Sequence, residues 1–184
     1  MKGSKVSLGY WRIRGRGQVP RLLLAYTGAI WEDVQYTTPE QWLNGDKHAL
    51  QLDFPNLPYL IEGNFRITET AAICTYIIDR SSRTELLGKN IQEKAFILNL
   101  VGVIEECLNK LVTVAYTGAG MEKTWKELQP KMEYLSKYKG KREWLFGYLT
   151  LADFLLVEMS YYLEKLYPQE FKNFFFLLAS RISF

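Results

Sequence analysis

Few residues in this chain have both the type and the surroundings to do chemistry. Tyr10 stands at the end of a strand pattern, where a phenol is either an aromatic cap on the strand or a hydrogen-bond donor held at a fixed point. Glu69 and Thr70 open a helix pattern, and the free N–H groups and dipole of a helix start favour an anion. The same pair also reads as simple helix capping. Cys74 and Cys107 lie in helix-patterned apolar stretches without a partner at C-x-x-C or metal-ligand spacing, so they read as core residues in a reducing compartment. With no cysteine near Tyr10, dithiol redox chemistry is disfavoured. His48, the only histidine, sits among polar loop residues and is given no role; no metal site is expected. Glu105 and Glu106 read either as functional acids or as solvated charges on a helix face.

Composition narrows the partners. The 184 residues suit one large domain or two small ones, and 48% apolar, 15% aromatic and 23% charged residues are an ordinary globular mixture. A net charge of +3, from 23 basic and 20 acidic residues spread along the chain, is too weak for a nucleic-acid groove and points to a small or neutral partner. No leader pattern opens the chain and no stretch approaches eighteen apolar residues, so a cytoplasmic protein with no membrane partner is expected.

The elements that must position these residues change character near residue 84. Lys5 to Leu8 alternates as a strand that the Gly9-Tyr10-Trp11 step should end. Val19, Leu22, Leu23 and Tyr26 form a helical face, with Pro20 in the first turn and Gly28 past the end. Trp31 to Tyr36 returns as a strand parallel to the first, and a loop through Trp42 and Lys47 follows. Tyr59-Leu60-Ile61 and Phe65-Arg66-Ile67 flank the turn tripeptide Glu62-Gly63-Asn64 as a hairpin. Glu69 to Arg80 closes the module as a helix. This order is thioredoxin-like. Beyond it, Ile97, Leu100, Val101, Ile104, Cys107, Leu108, Leu111, Val112 and Ala115 mark one face of a long helix. Met121, Trp125, Leu128, Met132 and Leu135 mark a second, antiparallel to the first. A third begins at Thr150, whose spacing to Asp153 is that of a capping box with Asp in place of Glu.

An α/β thioredoxin-like module followed by an all-helical one resembles the glutathione transferase architecture. Gly9-Tyr10-Trp11, Ile13-Arg14-Gly15 and Arg21-Leu22-Leu23-Leu24 resemble the opening of the mu class. Asp53-Phe54-Pro55-Asn56-Leu57-Pro58-Tyr59-Leu60, Gln41-Trp42-Leu43-Asn44, Lys141-Arg142-x-Trp144 and Thr150-x-x-Asp153-Phe154 extend the likeness over nearly the whole chain. The resemblance implies a glutathione-binding domain at 1–84, a helical domain at 85–184 that forms the electrophile site, and conjugation of glutathione to hydrophobic electrophiles in detoxification. It implies glutathione as a substrate, no cofactor, and a homodimer. Tyr10 would hold the glutathione sulfur as a thiolate, because a free thiol near pKa 8.5 is mostly protonated at neutral pH. Trp11, Trp42, Lys47, Asn56, Leu57, Pro58, Glu69 and Thr70 would contact glutathione, with Leu57-Pro58 as the family's cis bond. Arg16 and Tyr116 would meet the electrophile, Glu106 would reach the neighbouring subunit's glutathione, and Phe54 would key into that subunit. A protein of the same fold that binds glutathione or apolar ligands without efficient turnover is the alternative.

Three features depart from the family pattern. Tyr36-Thr37-Thr38-Pro39 runs almost directly into Gln41-Trp42, so the longer loop of relatives and its arginine are missing. Arg16 replaces a common leucine. The sequence ends at Phe184, short of the family's final helix. Phe174, Phe175, Leu177 and Leu178 are therefore expected either to turn in against the long helix carrying Leu108 and Val112 or to leave an apolar patch.

Overall fold

The computed structural model describes residues 4–177, with side chains described as far as Phe174. The chain forms two units, Met1–Thr84 and Glu85–Ser183.

In the first unit β1 (Val6–Trp11) leads to α1 (Gln18–Tyr26) and β2 (Trp31–Tyr36). The short helical turns α2 (Pro39–Gln41) and α3 (Lys47–Ala49) flank a single π turn at Trp42–Asp46. The hairpin β3 (Tyr59–Glu62) and β4 (Phe65–Thr68) and the helix α4 (Thr70–Arg80) complete the unit. The sheet order is β2-β1-β3-β4, with β1 parallel to β2 and antiparallel to β3, which is the thioredoxin-like arrangement. β1 runs further than its apolar alternation suggested. Gly9 does not end the strand: it pairs with Tyr59, and a Cβ there would lie 2.1 Å from the Tyr59 ring. The missing side chain lets an aromatic ring lie across a continuing strand. The hairpin turn is likewise tighter than the tripeptide expected, because Glu62 pairs with Phe65 and leaves only Gly63, at φ +58, and Asn64 between the strands.

Glu62, at the end of β3, ties this unit together. Arg80 of α4 grips its carboxylate from Nε at 2.6 Å and Nη2 at 2.8 Å, Tyr76 donates to it at 2.7 Å, and Ser4 adds a further bond. The bidentate guanidinium, foremost, holds the Glu62 carboxyl down at about 2 from an ordinary 4.5. A depressed carboxylate contributes stability that is complete above its unfolded pKa and is lost as pH falls through the folded one. Acid destabilisation of the first unit is therefore expected between about pH 4.5 and 2, and Glu62→Gln should flatten that limb of a plot of unfolding midpoint against pH. An unchanged limb in the variant would move the acid sensitivity elsewhere.

The second unit consists of α5 (Ile91–Thr117), α6 (Met121–Lys139), α7 (Leu151–Leu166) and the short α8 (Pro168–Phe171). Asn90 caps α5 by accepting from the Glu93 N–H at 2.9 Å, and Gly118, at φ +65, ends it. α5 packs on α7 and α6. Its buried stripe is Ile97, Leu100, Val101, Ile104, Cys107, Leu111 and Val114. Leu108 and Val112 are only partly covered and Ala115 is exposed, because they lie at the edge of the buried stripe, which runs through Cys107, Leu111 and Val114. In α6 Leu128, Met132 and Leu135 are buried, while Trp125 packs on Tyr167 with centroids 5.3 Å apart. Phe174 packs against Trp125 of α6, with ring centroids 6.2 Å apart and the rings edge-on. The side chains of Phe175 and Leu177, and all of Leu178, lie outside the described residues. α7 starts at the expected capping box of Thr150 and Asp153 and is buried on most of its circumference. No helix among the described residues is long and apolar enough to cross a membrane.

Candidate functional site

The site residues of the first unit are placed by two turns and one aromatic cluster. Tyr10, at the end of β1, is 7% exposed and packs with Tyr36, Trp42, Leu52, Leu57 and Tyr59. The 3-10 turn Gly15–Gly17 folds back over its ring. A Cβ at Gly17 would come within 2.6 Å of the ring, and one at Gly15, whose φ is +41, within 2.7 Å of the hydroxyl. Only glycines allow this approach. The result is a short contact across six residues: the Arg16 backbone N–H donates to the Tyr10 hydroxyl oxygen at 3.1 Å. The phenol thus accepts a bond from behind, and among the described residues its own proton has no acceptor. A hydroxyl that accepts one hydrogen bond is polarised to donate another.

Arg21 fixes the segment between β1 and that turn. Its guanidinium pairs with Asp33 of β2 at 3.0 Å and donates to the Ile13 carbonyl at 2.7 Å and the Trp11 carbonyl at 3.2 Å. The same cation lies 5.9 Å from the centre of the Tyr10 ring. Beside this segment a hollow of about 390 Å³ is lined by Trp11, Arg12, Ile13, Tyr36 and Thr37. Arg16 itself is exposed; what the fold uses is its backbone, whose carbonyl accepts from the Thr70 hydroxyl at 3.3 Å. That bond brings the start of α4 to the Tyr10 turn.

Three further residues meet at that helix start. Glu69 holds φ +71, a costly conformation for a residue with a side chain and one that persists only where the surroundings impose it. Its carboxylate accepts from the Asn56 amide at 2.9 Å. Asn56 in turn offers its oxygen to the Leu57 N–H, also at 2.9 Å, and the Leu57-Pro58 bond that follows is cis. The Leu57 N–H is thus engaged by its neighbour's side chain. Phe54, just ahead of this group, is 78% exposed.

Trp42 is buried at 5% exposure, stacked on Tyr59 at 6.0 Å and edge-on to Tyr36 at 5.5 Å. Lys47 follows at the first position of α3, partly covered. His48 is exposed. In the second unit Tyr116 stands in the last turn of α5 at 61% exposure. Glu106 of α5 is paired with Lys131 of α6, which holds its carboxyl below the ordinary range, so an acid expected to reach outward is engaged within its own chain. Among the described residues no cluster of His, Cys, Asp and Glu could hold a metal ion.

Several residues that shape the site gave little sign in the sequence. Arg21, Gly15 and Gly17 occur in recognisable segments, but their work is tertiary: a guanidinium shared among two carbonyls and a carboxylate, and two missing side chains under one ring. A pair of glycines two apart, shortly after a strand that ends in Tyr10-Trp11, was the available signal.

Comparisons with known proteins identify the family. Residues 6–79 match the family described as Glutathione S-transferase, N-terminal domain. The chain is 38% identical over 166 residues to human Glutathione S-transferase Mu 4, covering 84% of this chain and 74% of that protein. Glutathione S-transferase Mu 1 of Macaca fascicularis matches with the same identity and coverage. Among solved structures, a glutathione S-transferase of the hookworm Necator americanus, described as monomeric Na-GST-3, shares the fold. Its TM-score is 0.77 at 20% identity, over 94% of this chain and 87% of that one. The chain belongs to the glutathione S-transferase family and resembles its mu class. It is a glutathione transferase, an enzyme that joins a second substrate to the sulfur of glutathione.

Proposed function

We propose that Tyr10 is the catalytic residue and that it donates its phenolic proton in a hydrogen bond to the glutathione sulfur. The thiol proton leaves to solvent, the thiolate attacks an electrophilic carbon, a C–S bond forms, and the leaving group departs with its electron pair. The observation that carries this reading is the Tyr10 hydroxyl, backed by the Arg16 N–H and with no acceptor for its own proton among the described residues. Hydrophobic electrophiles are the substrates proposed, as in detoxification, with Arg16 and Tyr116 nominated for contact with them. Glutathione needs no cofactor in this scheme.

The remaining contacts follow from chemistry. The start of α4, with the Thr70 N–H, suits the γ-glutamyl carboxylate, and the Glu69 carboxylate suits the neighbouring ammonium. Backbone at the cis Leu57-Pro58 bond suits the cysteinyl unit as an added strand, with Asn56 releasing the Leu57 N–H as glutathione arrives. Trp42 and Lys47 suit the glycyl carboxylate, and Trp11 flanks the sulfur end. Turnover of chlorodinitrobenzene with glutathione, read from the thioether absorbance, tests the whole reading. Rates well above the uncatalysed reaction are expected; background rates with intact glutathione binding would leave a binding protein of the same fold.

A homodimer keyed by Phe54 is also proposed, because a phenylalanine 78% exposed on a loop has an apolar ring to cover. The hookworm neighbour is described as monomeric, so sedimentation decides. A dimer at micromolar concentration is expected, with Phe54→Ala weakening it by about 2–4 kcal/mol, roughly thirty- to a thousandfold in Kd. A wild-type monomer at that concentration would remove Phe54 from this role and, with it, any cross-subunit part for Glu106. Among the described residues Cys74 and Cys107 are buried and form no disulfide, which supports a reducing, cytoplasmic setting.

A further inference from the structure

The loop that carries Trp42 and Lys47 is anchored at its far end by a chain of three side chains. Asp46 accepts a hydrogen bond from the Tyr36 hydroxyl at 2.5 Å, and the Tyr36 and Tyr59 hydroxyls lie 3.0 Å apart. A carboxylate can only accept, so Tyr36 gives its proton to Asp46 and Tyr59 gives its own to Tyr36. The chain has one direction, from the sheet to the loop. Its sheet end is rigid: Tyr59 is 2% exposed, Tyr36 is 5% exposed, and the Tyr59 ring lies where a side chain on Gly9 would stand. Burial, foremost, and the bond to Asp46 push the Tyr36 phenol far up, so it stays protonated and a donor at any working pH. At the loop end the Asp46 carbonyl accepts from the Leu50 N–H at 3.0 Å, which closes the helical turn that begins with Lys47.

We propose that Tyr59, Tyr36 and Asp46 are positioning residues for glutathione, holding Trp42 and Lys47 where they receive its glycyl carboxylate. The inference rests on the reading of Lys47 given above. Asp46 is the immediate neighbour of that lysine, and a carboxylate left loose there would repel the anion the lysine is to bind. Bonded to Tyr36, its charge is directed into the sheet. This anchor sits in the segment between Pro39 and Leu50, and requires Asp at 46 and Tyr at 36 together.

The test compares glutathione with its glycyl monoester, which lacks the terminal anion, in steady-state kinetics of the full chain. Tyr36→Phe and Asp46→Ala should raise KM for glutathione by about tenfold, the worth of one good hydrogen bond, and leave kcat and the electrophile's KM within about twofold. Both should erase the preference for glutathione over the monoester, as Lys47→Ala should; Asp46→Asn, whose amide oxygen still accepts from Tyr36, should retain most of it. A purely structural role would lower the melting point without touching that preference. If Lys47→Ala erases the preference while Tyr36→Phe and Asp46→Ala keep it, the positioning role is overturned and the lysine reading stands. If Lys47→Ala itself keeps the preference, the lysine reading fails and the inference falls with it. Should Tyr36→Phe not fold, Asp46→Ala, on a partly exposed loop, carries the same test alone.

Discussion

Tyr10→Phe is expected to lower kcat/KM for conjugation by about 10- to 150-fold while glutathione binds nearly as well. One hydrogen bond to a charged acceptor is worth about 1.5–3 kcal/mol, and the substitution removes that donor together with the oxygen that accepts from the Arg16 N–H. The ring keeps its packing over Gly17, while the hydroxyl beside Gly15 and its bond from the Arg16 N–H are lost. Loss should fall on kcat and kcat/KM together, because the bond strengthens as charge builds on sulfur. Initial rates with chlorodinitrobenzene, alongside calorimetric glutathione binding, check this. An unchanged kcat would reassign the activating group, with Arg16 the next cation to examine; a lost binding signal with unchanged kcat would make Tyr10 a binding residue only.

The second large effect concerns stability. Asp153 is fully buried and accepts three hydrogen bonds: from the Leu145 N–H at 2.8 Å on one oxygen, and from the Thr150 N–H at 2.8 Å and hydroxyl at 3.0 Å on the other. Burial, foremost, pushes its carboxyl up, and these donors oppose the rise. The carboxylate thus caps α7 and at the same time holds the segment that leads into it. Asp153→Ala would strand two buried backbone donors, at about 1–3 kcal/mol each, so a loss of about 4 kcal/mol is expected. Asp153→Asn should lose about half as much, because an amide has one accepting oxygen where the carboxylate has two. Denaturant unfolding of the two variants measures both values. Equal costs for Asn and Ala would mean that only one side of the carboxylate matters, and a cost below 1 kcal/mol would show that solvent or repacking satisfies the stranded donors.

What the sequence made legible was whatever repeats locally. The hairpin, the stop at Gly28, the capping box at Thr150 and the stripe from Ile97 to Leu111 each follow from residues within a few positions of one another. The course of β1 past Gly9 was not legible, because its reason is the Tyr59 ring fifty residues on. Nor were the grip of Arg80 on Glu62 and the line from Tyr59 through Tyr36 to Asp46, which join groups 18, 23 and 10 positions apart. Resemblance supplied the site residues that periodicity could not, and two of them look different in place. Glu106 is held by Lys131, and the Leu57 N–H is held by Asn56. Both are short polar bonds that no motif encodes.

The thiolate is the centre of the mechanism, and one titration reaches it directly. Glutathione bound to the enzyme is followed by thiolate absorbance as pH is raised, beside free glutathione and beside the Tyr10→Phe variant. A bound thiol titrating about two units below the free one is expected, equivalent to about 2.7 kcal/mol of thiolate stabilisation, with most of that shift gone in the variant. A bound thiol that titrates with free glutathione, or one whose shift survives without the phenol, would contradict the assignment of Tyr10.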